Sequence, residues 1–291
     1  MFKKITIVWM LAVLLPQIQI KAETVDFALI GKYADYANIV YSGPVQVKSF
    51  LNDHSSHLIQ YQTIPETQVN YFLSSETTSG EQLVSVRGTA NLENVWVDIE
   101  FKLTLDDKVN ISLHQGFARS ARDVFNDIVP YLKKDRPISI TGHSLGGAIA
   151  VILAMYLDKA SYPVKSVVTF GQPKVTNPGG ASKFNHLNVT RVVTPLDLVP
   201  LMPPLDPLDI KNPDIFWHLG REVILLEGSK YSVVTGVPSM LRAAEFFNRI
   251  PDRDNLANHQ MRLYLDLINQ KTVNPEEIPF KNSNRFLNLF N

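Results

Sequence analysis

Residues 137–157 read Pro137-Ile-Ser-Ile-Thr141, then Gly142-His-Ser-Leu-Gly-Gly147, then an Ala-rich apolar run to Leu157. The first piece is a short β-branched strand. The last is a helix, since apolar residues fill every turn of it. Between them lies the pattern G-x-S-x-G, which in this setting places Ser144 on a sharp strand-to-helix turn. Gly142 and Gly146 flank the serine because a Cβ at either place would clash as the chain reverses. Gly147 lets the helix pack close to the sheet.

The same alternation continues on both sides. Phe27–Tyr41 has apolar and aromatic residues at helical spacing. Residues 69–73 and 81–87 read as strands. Residues 116–134 read as a helix with Phe117, Ala121, Val124, Phe125, Ile128 and Leu132 on one stripe. Val164–Phe170 is a continuous apolar strand of the kind buried in parallel sheets. Residues 190–194 and 221–226 are further strands, and residues 255–269 form a late helix. Strands alternating with helices predict an α/β fold with a mostly parallel central sheet flanked by helices.

Composition excludes several classes. The chain has 291 residues, 45% hydrophobic, with 28 basic and 28 acidic side chains. No basic surplus supports a nucleic-acid partner. There is no cysteine, which removes a disulfide framework, a thiol nucleophile and a Cys-ligated zinc site. No metal-binding motif or phosphate-binding P-loop is found, so neither a metal nor a cofactor is expected. At the N-terminus, Lys3 and Lys4 precede an apolar run from Ile5 to Leu15, and Ala22 follows. A positive start, a short apolar run and a small residue predict a cleaved export signal over residues 1–22. Residues 23–291 are then one domain. Removing three Lys and no acid leaves 25 basic and 28 acidic residues, a net charge of −3. No remaining stretch reaches the ~20 apolar residues of a membrane span. A secreted protein is expected, extracellular or periplasmic.

A serine on such a turn needs a base and an acid to be reactive. In chain order the acid follows the serine and a histidine comes last. Asp197, in Thr194-Pro-Leu-Asp-Leu-Val-Pro200, directly follows a predicted strand, where α/β sheets carry their reactive groups. Asp206, Asp209 and Asp214 lie deeper in a Pro-rich loop. Two histidines remain, His218 leading into a strand and His259 just before the late helix. Spacing favours His259 without deciding between them.

Taken together, these residues resemble the class 3 (fungal-type) triacylglycerol lipases, which have an α/β-hydrolase fold. The resemblance runs from about Phe27 to Leu267. It rests on Val86-Arg-Gly-Thr89, His114-Gln-Gly-Phe117, Gly142–Gly147, Phe170-Gly-Gln-Pro173, Asp197-Leu-Val-Pro200, His218-Leu-Gly-Arg-Glu-Val223 and Asn258-His259 with Tyr264. It implies a catalytic set of Ser144, Asp197 and His259, with His218 non-catalytic. It also implies an oxyanion hole from the backbone N–H groups of Thr89 and Leu145. Fungal relatives usually carry disulfides, and this chain cannot.

After Thr89, Leu92, Val95, Trp96 and Ile99 fall at i, i+3, i+4 and i+7, the template of an amphipathic helix. The resemblance makes this short helix a lid over the acyl site. The expected partners are a lipid or other ester substrate and, transiently, a lipid interface. A secreted serine ester hydrolase is expected, with a phospholipase A1, a short-chain esterase or an inactive lipid-binding scaffold as the other readings.

Overall fold

The protein is described here by a computed structural model covering residues 24–88, 101–203, 215–241 and 257–280. The expected export signal, Thr89 and the stretch with Leu92, Val95, Trp96 and Ile99 lie outside the described residues. So do Asp206, Asp209 and Asp214.

Helix α1 (Phe27–Ile39) runs into a 3-10 turn, Val40–Ser42, and is followed by α2 (Pro44–Asp53). Strands β1 (Ser56–Thr63), β2 (Asn70–Glu76) and β3 (Gln82–Val86) come next. A hairpin of β4 (Leu103–Asp106) and β5 (Ile111–His114) leads into α3 (Gln115–Ile128). Then come β6 (Ile138–His143), α4 (Leu145–Lys159), β7 (Val164–Phe170), α5 (Pro178–Lys183) and β8 (Val189–Val193). The chain continues with β9 (Arg221–Leu225), β10 (Lys230–Val234), α6 (Gly236–Leu241), α7 (Met261–Asn269) and β11 (Glu276–Glu277).

The large sheet has the order β1-β2-β3-β6-β7-β8-β9-β10-β11. Pairs from β3 to β9 are parallel, while β1-β2, β2-β3 and β9-β10 are antiparallel. The expectation of a mostly parallel sheet therefore holds, with antiparallel pairs on either side of the centre and a short parallel β10-β11 pair at one edge. The predicted helix over 116–134 ends at Ile128, where a 3-10 turn containing Pro130 takes over. The late helix begins at Met261, and His259 sits in the turn before it.

Side-chain alternation in β6 and β7 divides the core in two. Ile138, Ile140 and Val167 pack with α3 and α4 on one face. Val168 and Phe170 pack with α1, α2 and α7 on the other. Helix α4 is buried along its length from Gly146 to Leu157, which explains why its sequence is apolar all round. Among the described residues, no helix is long and apolar enough to cross a membrane.

Candidate active site

Four neighbouring parallel strands, β3, β6, β7 and β8, each release a site residue from the carboxyl end. They deliver Gly88, Ser144, Gly171 and Asp197 respectively. This is the end of an open α/β sheet at which ligands are handled, so the register of the strands brings the loops together.

The turn after β6 is tight. Ser144 has φ 58° and ψ −129°, a conformation costing a non-glycine residue about 1–3 kcal/mol. Its N–H donates to the Phe170 carbonyl at 2.8 Å, which ties the elbow to β7. A Cβ on Gly146 would lie 2.2 Å from the Val86 carbonyl oxygen, so only glycine lets α4 start this close to β3. Leu145 is the first residue of α4, and a first-turn N–H has no acceptor within its own helix.

Asp197 is fully buried and accepts three hydrogen bonds. Val199 N–H reaches Oδ1 at 2.9 Å, His259 Nδ1 lies 2.7 Å from Oδ2, and the Tyr264 hydroxyl donates to Oδ2 at 2.5 Å. Because the carboxylate only accepts, His259 carries a proton on Nδ1, and Nε2 is left as the basic nitrogen. His259 Nε2 and Ser144 Oγ are both buried and neither has a hydrogen-bond partner among the described residues. They do not bond each other in this conformation, and such contacts often tighten only with substrate present.

His218 is used elsewhere. Its Nε2 lies 2.6 Å from the Pro200 carbonyl, so it holds the loop that follows Asp197. Lys174, also buried, supports the end of that loop by donating to the Leu201 and Pro203 carbonyls, each at 2.6 Å. The structure thus brings His259 to Asp197 and places His218 on the acid-bearing loop. His114 is buried against Phe117, and burial pushes its pKa down to about 4. Among the described residues, no group of three or more His, Asp or Glu is placed to hold a metal ion.

Sequence reading quoted Gly171 only as part of a motif, but its geometry gives it a definite task. Its φ is +58°, and a Cβ there would sit 2.7 Å from His259 Cε1, 2.8 Å from His259 Nδ1 and 2.9 Å from Asp197 Oδ2. The space that a side chain would fill is occupied by the His–Asp pair. Gly171→Ala is expected to displace that pair and lower kcat about 100-fold. It should also lower stability by about 1–3 kcal/mol through the positive φ. Steady-state kinetics and thermal unfolding check this, and a variant within threefold of wild-type kcat would contradict it.

Residues 83–206 match the family model Lipase (class 3), a stretch holding β3, the elbow, β7, β8 and Asp197. A secreted mono- and diacylglycerol lipase of Fusarium solani is 32% identical over 149 residues, which are 48% of this chain and 44% of that protein. A lipase of Rhizopus niveus is 32% identical over 147 residues, 46% of this chain and 37% of the relative. The chain therefore spans less than half the length of these two relatives. Among solved structures, a lipase from Rhizopus microsporus var. chinensis aligns with a TM-score of 0.59 and 25% identity, covering 68% of this chain and 74% of that one. The architecture is that of an α/β-hydrolase. Over residues 83–206, the chain is similar to the class 3 lipase family.

Proposed function

We propose that this protein is a secreted serine carboxylester hydrolase of the triacylglycerol-lipase kind. The observation that carries the reading is the His259–Asp197 pair, which leaves Nε2 as the basic nitrogen, in a site whose elbow serine hydroxyl has no partner among the described residues. Ser144 Oγ attacks the ester carbonyl while His259 Nε2 takes its proton. Asp197 holds the imidazole tautomer and stabilises the imidazolium. The tetrahedral intermediate collapses as His259 returns the proton to the leaving alcohol. Water then releases the acyl group from Ser144 by the same steps. Backbone N–H groups of Leu145 and Thr89 hold the developing oxyanion, each contributing about 3–4 kcal/mol to the transition state.

Lipid esters are the substrate class best supported. The amphipathic segment with Leu92, Val95, Trp96 and Ile99 has one face suited to cover an acyl site in water and to meet lipid at an interface. Residues 1–22 have the charge and apolar pattern of an export signal, and the Fusarium solani relative is named as secreted.

The test is hydrolysis of p-nitrophenyl esters from acetate to palmitate, below and above the substrate's aggregation concentration. A rise in long-chain activity once aggregates form is the expected result. Activity on short chains alone, with no such rise, would remove the lid and make the protein a simple esterase. No activity on any ester would leave a narrow phospholipase A1 or an inactive lipid-binding scaffold.

A further inference from the structure

Between the loop after β3 and the backbone of His259 lies a continuous hydrogen-bond chain that the mechanism above does not use. Tyr41 sits in the 3-10 turn after α1. The Gly88 N–H donates to its hydroxyl oxygen at 3.1 Å. That hydroxyl lies 3.0 Å from His143 Nδ1, and His143 Nε2 lies 2.7 Å from the backbone carbonyl of His259. His143 is buried, and its ring centre is 4.5 Å from that of His259.

The direction of every bond follows from chemistry. A carbonyl only accepts, so His143 carries its proton on Nε2. Burial, with His259 alongside, holds His143 well below the ordinary histidine range and therefore neutral. Nδ1 is then a lone-pair acceptor, and the Tyr41 hydroxyl must donate to it. Burial raises the Tyr41 hydroxyl to about 12, so the proton stays on the phenol. The remaining lone pair of Tyr41 takes the Gly88 N–H. No other assignment pairs all the groups.

The contacts around Gly88 are equally close. A Cβ there would lie 2.6 Å from the His143 carbonyl oxygen, 2.7 Å from the Tyr41 hydroxyl and 3.0 Å from Ser144 Cβ. Gly88 is thus pressed onto the elbow, with Tyr41 as the shared anchor. The sheet puts His143 where this is possible: with Ser139 and Thr141 it points to the α1 face of β6. On that face Thr141 already bonds the Tyr33 carbonyl of α1.

We infer that Tyr41 and His143 are positioning residues, a rigid strut that sets the oxyanion loop at Gly88 and the backbone of His259 relative to Ser144. This rests on the proposed roles of Ser144 and His259. On that reading the two parts so joined are those engaged as charge develops in the transition state. Loss of the strut must therefore lower kcat while leaving KM nearly unchanged.

The test uses the full mature chain on a soluble ester, p-nitrophenyl butyrate. Active sites are counted by fluorophosphonate labelling of Ser144, so that a misfolded fraction lowers the count and not kcat. Tyr41→Phe keeps the ring and removes one hydroxyl, leaving the Gly88 N–H and His143 Nδ1 without each other's bridge. The expected result is a fall in kcat per site, and in labelling rate, of about 10- to 100-fold, with KM within about twofold. His143→Gln should lose kcat to a similar degree. The double variant should lose no more than the larger single loss, because both changes break one chain. Wild-type kcat in Tyr41→Phe, losses that multiply in the double variant, or a change confined to KM would each overturn the strut. Failure of the wild-type protein to label at Ser144 would instead overturn the catalytic reading beneath it.

Discussion

Ser144→Ala is expected to lower ester hydrolysis by about 10⁴-fold or more, because the attacking oxygen is removed and nothing nearby replaces it. The fold should be indifferent to the change. Ser144 Oγ has no hydrogen-bond partner among the described residues, so its removal leaves no buried group stranded. Alanine meets the same backbone strain at φ 58° as serine does. The expected thermal midpoint is therefore within a degree or two of wild type. Fluorophosphonate labelling should disappear with the activity. A variant retaining a tenth of wild-type turnover would show that the reaction does not pass through Ser144. One that unfolds would show that Ser144 Oγ has a structural partner.

The second large effect is at the acid. Asp197→Asn preserves size but not acceptor count. The wild-type carboxylate receives donors from His259, Tyr264 and Val199. An asparagine offers one oxygen and one NH2 group in the same space. If its oxygen stays with Val199, the NH2 group faces both His259 and Tyr264. His259 Nδ1 must then become an acceptor, which moves its proton to Nε2 and removes the base. If the amide turns round, Val199 N–H loses its acceptor in a buried site, at about 1–3 kcal/mol. The expected result is a fall in kcat of about 10⁴-fold at neutral pH, with a measurable drop in the unfolding midpoint. A loss below tenfold would mean that His259 keeps its tautomer without Asp197 and would weaken the proposed roles of both.

Much of this site was legible in the chain because it is local. The elbow is a strand, a turn and a helix in one unbroken stretch, and each piece announces itself by residue type: β-branched residues before Ser144, glycines around it, apolar residues after it. Asp197 was legible for a related reason, since it follows a strand at the end where such sheets hold their reactive groups. Elements missed on the sequence have weak local signals. Helix α2 buries only Val47 and Leu51, too few to show a period. Strand β1 lies at the sheet edge with most of its residues only partly buried, so no alternation stands out. In the β4–β5 hairpin, Leu105 faces solvent, which blurs the pattern further.

Sequence by itself determined the fold class, the strand-to-helix elbow that carries Ser144 and the strand end that carries Asp197, because strand, helix and turn preferences act over a few residues. Only the tertiary structure shows that His259, and not His218, meets Asp197. Both follow the serine in order, and the choice depends on where α7 docks and on a contact across 62 residues of chain. The same holds for Gly171, whose missing Cβ matters only because two distant side chains occupy that space. It holds also for Tyr41, whose partners lie 47 and 102 residues away. Local preferences carry no information about such pairings. They are set by the packing of α1 and α7 on one face of the sheet.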